Sequence, residues 1–182
     1  NDRLLAFMTH GGKTLRKFTT VTAVIEIPKG SRNKYEWDER LGGFRYDRML
    51  FSSVHYPADY GFVPETLAED GDTLDVLVLV TEPTFTGCII EAKPVGLFKM
   101  WDEKGADDKI LCVPVGDPLW NYIDDLEEVP PHLLNEIGHF FDVYKDLEAK
   151  ITSIEGWEGR EAAIRVIEEA RERFHREQLK EE

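Results

Sequence analysis

Glu69-Asp70-Gly71-Asp72-Thr73-Leu74-Asp75 runs without a break into Val76-Leu77-Val78-Leu79-Val80. The apolar run predicts a strand buried on both faces. Three aspartates fall within the six residues before it. Carboxylates this close repel one another and hold protons more tightly unless a cation stands between them. Hard divalent cations that prefer oxygen, Mg²⁺ or Mn²⁺, relieve that repulsion. Gly71 lets the backbone turn tightly, so Asp70 and Asp72 face one point while Asp75 joins from the start of the strand. Aspartate and glycine are also ordinary turn residues, so this stretch alone supports a plain turn as well as a metal site.

The rest of the composition narrows the choice. The 182 residues fit one domain over 1–182 with a sizeable core. A formal charge of −14, from 36 acidic and 22 basic side chains, argues against nucleic acid as a partner. It suits cation binding. No apolar stretch approaches the roughly 20 residues of a membrane span, and none reads as a signal peptide before the first strand. Asn1 leaves open a start further upstream. Cys88 and Cys112 lie in apolar runs without Cys-x-x-Cys spacing, which reads as two buried free thiols in a cytoplasmic protein.

Working outward, residues 1–20 are weakly patterned and read as an arm with one helical turn. A strand over Val21–Ile27 stops at Pro28-Lys29-Gly30. Glu26 lies inside it, and residue type favours its solvent face. Residues 34–37 form a second strand, with Lys34 and Glu36 on one face and Tyr35 and Trp37 on the other. Gly42-Gly43 turns into a partner strand over 44–50. Residues 56–62, rich in aromatics, read as a loop. Two strands follow at 88–92 and 95–100, then a polar hairpin loop over 101–109 and a strand over 110–115. Asp102 and Asp107 flank the turn and reach the same side. A helix starts at Pro130-Pro131 and runs through about residue 147, with Leu133, Leu134, Ile137, Phe140, Phe141 and Tyr144 as its core stripe. Lys145, near its end, is also explained by the helix dipole. A short strand over 151–154 precedes a last helix over about 159–178, with Ala163, Ile167, Ala170 and Phe174 inward. Strands followed by helices predict an α+β or barrel-plus-helices domain.

Together these segments resemble the soluble family I inorganic pyrophosphatases of bacterial type. The resemblance runs through Val24-Ile-Glu-Ile-Pro28, Lys34-Tyr-Glu36, Asp47-Arg48, Tyr56-Pro57, Tyr60-Gly61 and Asp70-Gly-Asp-Thr-Leu-Asp-Val76. It continues through Lys99-Met100, Asp102, Asp107, Lys109, the run from His139 to Glu148, and Glu155-Gly-Trp-Glu158. It implies a mainly β fold, an OB-like five-stranded closed barrel flanked by two α-helices. It also implies hydrolysis of pyrophosphate to two orthophosphates, several Mg²⁺ per site with Mn²⁺ or Zn²⁺ as possible substitutes, and a homohexamer. The family's metal carboxylates fall on Glu26, Glu36, Asp70, Asp72, Asp75, Asp102 and Asp107. Its phosphate-contacting side chains fall on Lys34, Arg48, Tyr60, Lys109, Tyr144 and Lys145. Thr73 stands where the family commonly has proline, which removes no ligand. Val143 stands where related bacterial sequences often carry a second histidine near His139, so subunit contacts and their pH dependence are open.

The residue types suit the chemistry. Pyrophosphate is a polyanion, and an anionic nucleophile must approach it in line. Two metal ions on a carboxylate cluster let a bridging water lose a proton near neutral pH. The resemblance makes Asp72 the general base or orienter. Arg48, Lys145 and Lys34 neutralise phosphoryl oxygens, Arg48 with a planar fork and the lysines as point charges. A non-catalytic cation module has no use for those three cations. An EF-hand needs a helix before the loop and a glutamate at its twelfth position, and neither is here. A nucleotide pyrophosphohydrolase needs a pocket for the base, and no motif for one is present.

Overall fold

A computed structural model describes residues 19–181. The arm predicted for residues 1–20 lies almost wholly outside the described residues. The strands are β1 (Val21–Ile27), β2 (Asn33–Asp38), β3 (Gly43–Met49), β4 (Asp59–Val63), β5 (Leu74–Val78), β6 (Ile89–Asp102), β7 (Gly105–Ala106), β8 (Lys109–Pro114) and β9 (Ser153–Gly159). The helices are α1 (Pro131–Val143) and α2 (Arg160–Glu181).

Five strands join edge to edge in a ring, β1-β4-β5-β8-β6 and back to β1. The ring is uneven. β1 meets β6 only through residues 21–24, and its register against β4 shifts between Ile25 and Ile27. All its pairings are antiparallel except β5–β8. β7 and β9 extend the sheet from β6, and β2–β3 form a separate hairpin. Val76, Val78 and Val80 pack in one cluster with Ala163, Ile167 and Ala170 of α2. Leu77 and Leu79 pack in another with Ile137, Phe140 and Phe141 of α1. Two covered faces explain an apolar run with no polar alternation.

Several expectations are corrected. Residues 56–62 hold β4, which lies between β1 and β5. Gly61 makes that fit possible, because a Cβ there would lie 1.9 Å from the Val24 carbonyl oxygen. The strands predicted at 88–92 and 95–100 are one strand, β6, with an irregularity at Pro94/Gly96 that absorbs the missing proline N–H. α1 ends at Val143, not near residue 147. Residues Asp146–Glu148 form a tighter 3₁₀ turn closed by Ala149 in the left-handed region at φ 55°. The short strand over 151–154 begins later and runs on to Gly159. Glu26 lies on the outer face of β1 with Thr22 and Val24, half-buried because the β2 hairpin partly covers it, and its Oε2 accepts the Trp37 N–H at 2.7 Å. Cys112 is buried and free as expected, whereas Cys88 is only half-buried. Phe174 is likewise half-buried.

Candidate active site

The parallel register of β5 and β8 sets Asp75 beside Lys109. Tyr60 pairs with Leu77 across β4–β5, so its ring stands on the same face as Asp75, diagonally opposite. The Lys109 ammonium is buried and donates to Asp75 Oδ2 at 2.9 Å, Asp107 Oδ1 at 3.0 Å and the Tyr60 hydroxyl at 3.1 Å. The Tyr60 hydroxyl donates in turn to Asp75 Oδ2 at 2.5 Å. Phe141 forms the floor, with Lys109 Nζ 5.1 Å from its ring centre and the Tyr60 ring tilted against it at 6.0 Å. Burial disfavours the charged lysine, but Asp75 and Asp107 outweigh it and hold Lys109 protonated well above the usual range.

The other carboxylates come from separate elements. Asp102, at the end of β6, lies 3.8 Å from the Lys145 ammonium, which directly follows the α1 C-cap residue Tyr144. Burial pulls Lys145 below the usual lysine range, with Glu103 and Asp102 opposing. Asp70 Oδ1 accepts the Asp72 N–H at 3.0 Å, closing the tight turn at Gly71. The Asp72 carboxylate lies open, 3.6 Å from the Lys104 ammonium.

The β2–β3 hairpin supplies cations. Lys34 and Arg48 are register partners, and the irregularity beside them leaves Asp47 as the extra residue. Asp47 lies 3.5 Å from Lys34 and also bonds Arg48. Burial pushes Asp47 up, but the charges of Lys34 and Arg48 outweigh it and hold its carboxyl below the usual range. Arg48 donates from Nη2 to Glu148 Oε2 at 3.1 Å, while its Nε lies 2.8 Å from Glu148 Oε1 without the alignment of a hydrogen bond. Glu36 pairs with Arg45 at 3.2 Å, and its charge adds to the repulsion on Glu26.

Sequence reasoning named Glu148, Asp47 and Lys104 only as neighbours, if at all, and gave them no role. Each reads as an unremarkable charge until the chain folds. Asp59 was also missed. It is fully buried and accepts from the Lys29 N–H at 2.8 Å and the Thr84 hydroxyl at 2.5 Å, anchoring the strand that carries Tyr60. Its only signal was a carboxylate between Ala58 and Tyr60.

The donor set fits a hard divalent cation. It is all oxygen, and several of its carboxyls are held up by burial. Burial pushes Glu26 up to about 7, with Asp75 and Glu36 adding repulsion. Burial pushes Asp107 up to about 6 against the pull of Lys109, and Asp70 is raised as well. Among the described residues no three His, Cys, Asp or Glu side chains already surround one point. Lysines stand between them.

The family profile described as inorganic pyrophosphatase matches residues 23–175. An inorganic pyrophosphatase of Methanosarcina acetivorans is 61% identical over 153 residues, 84% of this chain and 91% of that protein. One from Synechocystis is 49% identical over 149 residues, 82% and 88% of the two chains. The crystal structure of the inorganic pyrophosphatase from Thermus thermophilus superposes with a TM-score of 0.84 at 46% identity, covering 86% of this chain and 91% of that one. The chain belongs to the inorganic pyrophosphatase family, whose reaction is the hydrolysis of pyrophosphate to orthophosphate.

Proposed function

We propose that this chain hydrolyses pyrophosphate in a Mg²⁺-dependent reaction at the site around Asp75 and Lys109. The supporting observation is that the Asp75–Lys109–Asp107–Tyr60 group lies within a family-matched chain that also carries Lys34, Arg48 and Lys145. Asp70, Asp75, Asp102 and Asp107 hold the ions, with Asp72, Glu26 and Glu36 as further ligands. Mn²⁺ or Zn²⁺ can take the place of Mg²⁺. Bound Mg²⁺ supplies charge neutralisation and makes water a better acid.

The chain's own groups do the rest. Asp72, exposed and on a short loop, takes the proton of the attacking water or orients it. Arg48 presents a planar fork to the phosphoryl oxygens, while Lys34, Lys109 and Lys145 act as point charges. Tyr60 and Tyr144 stay protonated because burial pushes both well above the usual tyrosine range, so they act as neutral donors.

The single domain over 1–182, a cytoplasmic location and a homohexamer belong to the same proposal. The two free cysteines favour a reducing compartment. Phe85 and Ile89, 66% and 70% exposed, leave apolar surface for a neighbouring copy. No helix among the described residues is long and apolar enough to cross a membrane. The test is orthophosphate release from pyrophosphate and from ATP under Mg²⁺. Release from pyrophosphate alone supports this reading, and equal release from both contradicts it.

A further inference from the structure

The aspartate loop is strapped to the far helix. Arg173 of α2 donates from Nη1 to the Leu67 carbonyl at 2.5 Å, and the Leu67 N–H returns a bond to the Ala170 carbonyl at 3.0 Å. One residue on, the Ala68 N–H donates to the Asp72 carbonyl at 2.8 Å, and the Gly71 N–H to the Ala68 carbonyl at 3.1 Å. Buried Thr66 closes the loop's root, donating to the Val63 carbonyl and accepting the Leu74 N–H at 3.0 Å. Between the loop and α2 is a shallow cleft of about 50 Å³, bordered by Ala68, Leu74, Val166 and Arg173.

Leu74 and Ala68 pack with Ala170 and Val166 of α2, which anchors the loop's apolar side by contact. The polar stretch 69–73 lies beyond that packing, and the Leu67 and Ala68 bonds tie its root to α2. The chain also enters the loop through Glu65 at φ 57°, a strained conformation for a non-glycine residue that surrounding structure must hold. We propose that Arg173 is a positioning residue, whose bond to Leu67 holds the 66–75 loop so that Asp70, Asp72 and Asp75 present their carboxylates together. Arg173 does not touch substrate. Its effect is on the free-energy difference between a loop already shaped for the ion and one that must be ordered by it. The inference rests on the reading that these aspartates hold Mg²⁺.

The test uses the full chain and compares Arg173→Met and Arg173→Lys with wild type. Amide exchange of Ala68, Gly71 and Leu74 is followed in EDTA, Mg²⁺ binding by calorimetry, and turnover against Mg²⁺ concentration. Arg173→Met is expected to speed exchange at those three amides while Val76 and Val78 keep their protection. Its Mg²⁺ dissociation constant rises about tenfold, and turnover recovers at saturating Mg²⁺. Arg173→Lys keeps the charge without the fork and falls between the two, which keeps the test open if Arg173→Met does not fold. Unchanged loop exchange and Mg²⁺ affinity would overturn the proposal. So would equal acceleration in β5, which marks general destabilisation, or a turnover loss that Mg²⁺ does not recover. Asp75→Asn separates the two readings. Undiminished Mg²⁺ affinity there would remove the metal assignment, while loop exchange in Arg173→Met would still decide the strap.

Discussion

Asp75 Oδ2 lies 2.9 Å from the ammonium of Lys109, its parallel register partner near the start of the neighbouring strand. A cation built into the sheet therefore neutralises two of the proposed metal carboxylates, Asp75 and Asp107. Replacing it isolates both. Lys109→Met is expected to destabilise the metal-free protein by about 3–5 kcal/mol, the usual consequence of leaving a buried charge without its partner. Added Mg²⁺ should restore much of the loss. Urea unfolding with EDTA and with Mg²⁺ checks this, and equal losses in both conditions would count against it.

Glu26 gives the pH dependence. Its folded value of about 7 lies above its usual 4.5, so the folded state binds the proton more tightly than the unfolded one. Stability of the metal-free protein should fall as pH rises from about 4.5 to about 7. Asp107, raised from 3.8 to about 6, acts in the same direction over a lower window. Thermal unfolding in EDTA from pH 5 to 8 reads the slope. Glu26→Gln should flatten the part between pH 6 and 7, and an unchanged slope would exclude Glu26 as its source.

Asp72 is exposed and bonded through its side chain only loosely, to Lys104 at 3.6 Å. Its removal should leave the fold intact. Asp72→Asn is expected to keep its melting temperature and most of its Mg²⁺ affinity, which rests mainly on Asp70, Asp75, Asp102 and Asp107, while turnover drops by about 10²–10⁴. Near-full activity at the optimal pH would remove Asp72 from the base role.

Arg48 spans two carboxylates, donating from Nη1 to Asp47 and from Nη2 to Glu148, a reach that lysine's single ammonium cannot reproduce. Arg48→Lys should therefore lower turnover by roughly 10²–10³, nearly as much as Arg48→Met. Steady-state rates of the two variants decide it, since rescue by lysine would show that charge alone suffices.

Glu148 also shows where sequence reading stops. The helix pattern of Phe140, Phe141 and Tyr144 is plain, and it continues smoothly into residues 145–148. The chain instead tightens after Tyr144 and turns at Ala149, which brings Glu148 onto Arg48, a hundred residues away. No local periodicity carries that contact. β4 was hidden for a related reason. A strand covered on both sides shows no alternation, and Gly61, which the close approach to Val24 demands, looks like a loop residue. β1 was legible to the residue because Pro28 stops it. The aspartate loop was legible because carboxylate crowding before a buried strand has few explanations. Asp102, Asp107, Lys109 and Lys145 became candidates through family resemblance, and the fold sets them in contact. Glu36 came by the same route, and its carboxylate pairs with Arg45.

The central claim is that this carboxylate and lysine cluster turns over pyrophosphate only when Mg²⁺ fills it. Its most direct test is the initial rate of orthophosphate release from pyrophosphate as Mg²⁺ is returned to EDTA-stripped protein, with Asp75→Asn run in parallel. Negligible release in EDTA is expected, with a saturating rise as Mg²⁺ is added and a curve for Asp75→Asn displaced to much higher Mg²⁺ or flattened. Rapid release in EDTA, or identical curves for the two proteins, would contradict it.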